Sequence, residues 1–217
     1  RESIDWYEKI FKKVRGIPLD FRARAVYSAA WSHLALGAVE KARLLFVEVY
    51  EDKHATPEVR GDAALRLAHL YREKNNRVAA DEMAGAAGRI ADESSQPRLK
   101  DEVLLFRAES AFLQKTFDES LGYLARVTDK GYRVQRLTGQ IFFESGRPAD
   151  AALYFERAAG QAPHRDAANL CFFDLAQSHF SAADFDSAIA AISKIKGPSE
   201  ALEYRLKPFR ADVYSHA

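Results

Sequence analysis

Residues Gln135–Pro163 read QRLTGQIFFESGRPADAALYFERAAGQAP, and the order of small and aromatic residues in this stretch suits two short packed helices. Gly139 is followed three positions later by Phe142, and Ala151 four positions later by Phe155. One turn of helix brings each pair onto the same face. Gly139 and Ala151 remove bulk where one helix crosses another, and the two rings fill the space beside them. Between the pairs, Ser145-Gly146-Arg147-Pro148 supplies a glycine suited to ending one helix and a proline suited to starting the next. The stretch therefore predicts a helical hairpin.

Working outward, the second-helix signature recurs as Ala42 with Phe46, Ala80 with Ala84, Ser120 with Leu124, and Ala188 with Ile192. Each is preceded by a small residue followed three later by another packing residue: Ala30 and His33, Ala68 and Tyr71, Ala108 and Ala111, Ala176 and His179. Five hairpins are expected, over about 20–56, 57–96, 97–130, 131–164 and 165–197. Thr56-Pro57-Glu58, Ser95-Gln96-Pro97 and Gly197-Pro198-Ser199-Glu200 read as helix boundaries. Before the first hairpin, Trp6, Ile10, Phe11 and Val14 recur at helical spacing, predicting an amphipathic flanking helix within 1–19. After the last, residues 198–217 predict one more helix, kinked at Pro208. It has the character of a further repeat cut short, with Leu202, Leu206, Phe209, Val213 and Tyr214 exposed at an uncapped end open to self-association.

The hairpin resembles the tetratricopeptide repeat, whose pattern is W-x2-L-G-x2-Y…A-x3-F…P. Gly139, Phe142, Ala151, Phe155 and Pro163 match it, whereas Gln135 and Thr138 depart from it. The small residues of successive second helices lie 38, 40, 31 and 37 apart, against a family period of about 34. The resemblance implies an all-α, right-handed superhelical solenoid of antiparallel helix hairpins whose first helices line a concave groove. In that register the groove would be lined by Tyr27, Trp31 and Leu34 from the first hairpin and by Leu65, His69 and Arg72 from the second. The third would give Leu105, Glu109 and Phe112, the fourth Arg136, Gln140 and Phe143, and the fifth Phe173, Gln177 and Phe180. Trp31, Phe112, Phe143 and Phe180 would be the anchors. The residues directly after the packed small ones are Trp31, His69, Glu109, Gln140 and Gln177, so the asparagine-containing clamp that some family members use on a C-terminal carboxylate is not expected.

Composition narrows the function classes. The chain has 217 residues with 47% hydrophobic content, too apolar for a disordered segment. Its 32 basic and 31 acidic residues nearly balance, so no global field draws it to nucleic acid or an anionic membrane. Arg126, Lys130, Arg133 and Arg136 form only a small basic cluster. No apolar run is long enough to cross a bilayer. Six histidines occur without helical ligand spacing or an H-E-x-x-H motif, which argues against a metal site. Gly85-Ala86-Ala87-Gly88 lacks the strand before and the Gly-Lys after that a phosphate loop needs, and is expected to pack helices around Met83. Cys171, the sole cysteine, lies among Leu170, Phe172 and Phe173 with no neighbouring base, the setting of a buried thiol.

The expected function is a non-catalytic protein–protein interaction scaffold, without cofactor, holding a peptide or partner-protein segment in the groove. The alternative is an accessory domain of a larger bacterial envelope or secretion assembly, contacting partners by its convex face or ends. With Arg1 in place of an initiator Met, the chain reads as a soluble domain excised from a longer protein, one that a membrane anchor could precede.

Overall fold

The computed structural model describes residues 19–216. Among them run eleven helices and no strand. They follow one another as α1 (Leu19–Ala35) and α2 (Val39–Glu51), α3 (Pro57–Glu73) and α4 (Arg77–Glu93), and α5 (Pro97–Leu113) and α6 (Phe117–Arg126). Then come α7 (Tyr132–Glu144) and α8 (Pro148–Gly160), α9 (Arg165–Ser181) and α10 (Phe185–Ser193), and finally α11 (Glu200–His216). The amphipathic helix expected near Trp6 and Phe11 lies outside the described residues. None of the described helices is long and apolar enough to cross a membrane. Two compact units meet inside α5, one ending at Phe106 and the other beginning at Arg107.

One turn closes all five pairs. The amide of the third residue past the first helix donates back to the carbonyl of His33, Tyr71, Ala111, Phe142 or His179, at 2.9–3.0 Å. The residue before that amide has positive φ: Gly37 (75°), Asn75 (57°), Lys115 (60°), Gly146 (74°) and Ala183 (60°). This is the Schellman arrangement, which satisfies helix-end carbonyls that would otherwise be orphaned. Helix starts are capped locally. Thr56 Oγ1 accepts from Val59 N, Asn76 Oδ1 from Ala79 N, Asp184 Oδ1 from Ser187 N and His164 Nδ1 from Ala167 N.

In the first unit, Ala30 and Ala42 are buried where α1 and α2 cross, with Phe46, Val49, Leu67 and Leu70 around them. Ala68, Ala80, Ala84 and Ala87 perform the same service between α3 and α4, and Leu99, Val103 and Phe106 close over them. Met83 packs against both clusters, and the Gly85–Gly88 segment supplies buried Ala86 and Ala87 to helix packing. Gly61 is a close-approach residue, because a Cβ there would run into Leu99.

In the second unit, Ser120 stands where an alanine would be expected and is fully buried, its hydroxyl donating to the Ala108 carbonyl at 2.7 Å. Gly139 lies against the ring of Phe155. Thr138 is buried too, and its hydroxyl donates to the Val134 carbonyl at 2.8 Å. Asn169 ties down the loop after α10: its Nδ2 donates to the Lys196 carbonyl at 2.9 Å, and Lys196 N donates back to Oδ1 at 3.1 Å.

The last helix differs from expectation. Its apolar stripe, expected to be exposed, is covered: Leu202, Leu206 and Val213 are buried in one cluster with Phe173, Ala176 and Ile192, while Pro208 lies inside the helix. Phe209 packs against that cluster, leaving Tyr214 exposed. The i, i+4, i+7 spacing of this stripe matches the faces of α9 and α10, so the expected open apolar end is occupied from within.

Candidate functional site

The first helices of the pairs carry the residues expected to bind, and each unit presents its own set. In the first unit, Trp31 is 42% exposed. Tyr27 and Phe46 meet it edge-on at 6.4 and 5.9 Å. The Arg66 guanidinium lies 4.6 Å over the indole. Leu34 is half-buried against the α1/α2 core. Further along α3, His69 meets Phe106 edge-on at 4.9 Å. Arg72 lies 4.5 Å over Phe106, donates to its carbonyl at 3.4 Å, and places Nη2 3.2 Å from His69 Nδ1. Asp62, one turn before Arg66, is held by Arg98 through contacts of 3.0 and 2.8 Å. Burial nevertheless pushes the Asp62 carboxyl above the usual range, the nearby Arg98 offsetting only part of that effect.

In the second unit, Phe112 is half-buried, 6.2 Å from Phe117. Glu109 pairs with Arg133 at 3.3 Å. Arg136 on α7 reaches Asp174 on α9 at 3.3 Å from both Nε and Nη2. Burial raises the Asp174 carboxyl despite that cation. Gln140 and Gln177 are half-buried, and Phe143 packs partly against the core.

Four expected groove residues are placed differently. Leu65, Leu105 and Phe173 are buried and offer no free surface, Leu65 and Phe173 each within the core cluster of its own unit. Phe180 is covered by α11, with Phe209 at 5.5 Å and the His216 ring at 5.6 Å. Phe173 also meets Phe209 at 5.5 Å and lies under Arg205. Three of the four residues of the expected small basic cluster are engaged internally, Arg126 being exposed. Lys130 Nζ donates to the carbonyls of Leu124 and Ala125 at the end of α6, while Arg133 and Arg136 are in the ion pairs above.

Sequence reading missed Arg66, Asp174 and Asn169. Arg66 stands three residues before His69 and so shares its helix face, a spacing that could have found it. Asp174 and Asn169 act through partners 38 and 27 residues away, which no local pattern announces. Cys171 is fully buried, and that burial pushes its thiol up to about 11. The Tyr132 hydroxyl and Arg136 beside it oppose the shift without cancelling it. The thiol is therefore protonated at neutral pH, unsuited to nucleophilic attack.

The tetratricopeptide-repeat family model matches residues 142–198, from the end of α7 through α10. No curated protein sequence matches the chain. Among solved structures, BtubC (BKLC) from P. vanneervenii aligns with a TM-score of 0.71 at 18% identity, covering 98% of this chain and 89% of that one. The pilF protein of Pseudomonas aeruginosa aligns at 0.66 and 21% identity, over 91% and 90% of the two chains. A putative kinesin light chain of Podosopora anserina with nearly identical TPR-like repeats aligns at 0.61 and 15% identity, over 83% and 95%. At these identities the likeness is one of fold. Together with the hairpin turn that all five pairs share, it shows that the chain is an all-α array of TPR-like helical hairpins, in which residues 142–198 match the tetratricopeptide-repeat model.

Proposed function

We propose that the chain is a non-catalytic protein-interaction scaffold that holds a peptide or partner-protein segment along its first-helix face. The observation that carries this reading is Trp31. It is a large aromatic side chain left 42% exposed on a first helix, while the rings around it are packed. Aromatic anchors flanked by arginine are the residue types that dominate protein interfaces. Within the second unit, Phe112 and Phe143 are half-buried aromatic residues on first helices. Leu65, Leu105 and Phe173 are buried and add no contact surface, and Phe180 is already packed against α11.

A second reading is favoured by apolar residues exposed on the second helices: Leu44 on α2, Val78 on α4 and Leu153 on α8. They would serve an accessory domain that contacts a larger assembly by its convex side. Substitution separates the two. Trp31→Ala and Phe143→Ala should each weaken partner capture by about 2 kcal/mol or more, while Glu156→Arg and Arg157→Glu on α8 leave it intact. The reverse pattern, with all four variants folded, would establish the convex reading.

A further inference from the structure

We propose that the Trp31–Arg66 corner binds a side-chain carboxylate from an acidic, apolar-flanked segment of a partner protein. The inference rests on the first-helix face being the binding surface and names the chemistry of what binds there. Arg66 is half-buried over the Trp31 indole, and its Nε is shut off from solvent with no hydrogen-bond partner. The charge is thus presented outward through Nη1 and Nη2. Among the described residues no carboxylate pairs with it. Asp62, the acid one turn earlier on α3, is committed to Arg98, and Glu58 and Glu102 are the further acids beside that pair.

A partly dehydrated guanidinium without a counter-ion attracts an anion more strongly than a fully hydrated one, because less water is displaced and the local dielectric is lower. Its planar fork matches a carboxylate in two parallel hydrogen bonds. The exposed indole beside it gives an apolar residue of the same segment a platform. A neutral segment would leave the Arg66 charge unmatched.

The probe is a fluorescein-labelled peptide of Glu-Leu pairs spaced by Gly-Ser, amidated so that it lacks a terminal carboxylate, compared with a Gln-Leu twin by anisotropy. The Glu-Leu peptide should bind at least about tenfold more tightly than its twin, with the advantage falling as salt rises. Arg66→Gln should abolish the advantage, and Arg66→Lys, which keeps charge but loses the fork, should reduce it. Circular dichroism confirms that each variant is folded; should Arg66→Gln unfold, Arg66→Lys carries the test. Equal binding of the two peptides, both lost in Trp31→Ala, overturns the acidic specificity and leaves the first-helix face as the binding surface. Failure of the Glu-Leu peptide to bind overturns the inference. So does an Arg66-dependent complex with a uridine oligonucleotide where the peptide does not bind.

Discussion

Replacing Gly139 by alanine asks whether the small residue in the deciding stretch is there for packing. In an open helix interior the change is favourable by about 0.8–1.0 kcal/mol, because glycine loses more backbone freedom on folding. At position 139 the new Cβ would lie 2.9 Å from two Phe155 ring carbons and 3.1 Å from a third. Phe155 is 2% exposed, so its ring is enclosed by the surrounding core. Overpacking of this kind costs about 1–3 kcal/mol, so Gly139→Ala should be destabilising by about 1 kcal/mol net. Gly122, exposed on α6 with nothing within 4 Å of its added Cβ, is the internal control: Gly122→Ala should stabilise by close to the full propensity gain. In a Phe155→Leu background the clash disappears, and Gly139→Ala should become neutral or favourable. The double-mutant cycle, read by urea denaturation, should give a coupling of about 1–2 kcal/mol. A Gly139→Ala variant as stabilised as Gly122→Ala, or a cycle with no coupling, would refute the packing argument.

Left-handed backbone at a non-glycine residue costs about 1–2 kcal/mol, so Ala183→Gly should stabilise by about 0.5–1 kcal/mol after the added unfolded-state entropy, and Gly146→Ala should lose a similar amount. Thermal melts showing the opposite order would break the common-turn description. Asn169→Ala should cost about 1–3 kcal/mol, since it leaves Lys196 backbone groups unmatched; an unchanged urea midpoint would count against that role. The Cys171 thiol ionises near 9 when unfolded and near 11 when folded. Between those values the unfolded chain has released more protons, so stability falls as pH rises. Cys171→Ala should remove a part of this slope worth about 3 kcal/mol, and native protein should react slowly with thiol reagents. An unchanged slope, together with rapid labelling of the folded chain, would show the thiol to be accessible.

What could be read from sequence was whatever sterics force locally. Gly139 and Ala151 are legible because a crossing point tolerates few side chains, and Gly37 and Gly146 because positive φ favours glycine. Asn75, Lys115 and Ala183 adopt the same turn without that mark, their strain outweighed by the two carbonyls each turn satisfies. Leu65, Leu105 and Phe173 were misplaced for a geometric reason. A first helix has flanks toward both neighbours, and the tilt at each crossing decides which residue on the boundary is buried. The stripe of α11 was legible as amphipathic, but its docking on α9 and α10 is a tertiary fact. Arg136 with Asp174 and Asn169 with Lys196 join separate helices or loops, and spacing along the chain carries no trace of them.

Photo-crosslinking tests the central claim most directly. A benzophenone amino acid placed singly at His69 and Gln140 on first helices, and at Leu44 and Leu153 on second helices, reports which face a bound partner touches. Partner adducts are expected from His69 and Gln140, disappearing in Trp31→Ala and Phe143→Ala proteins, and none from Leu44 or Leu153. Adducts confined to Leu44 and Leu153 would contradict it.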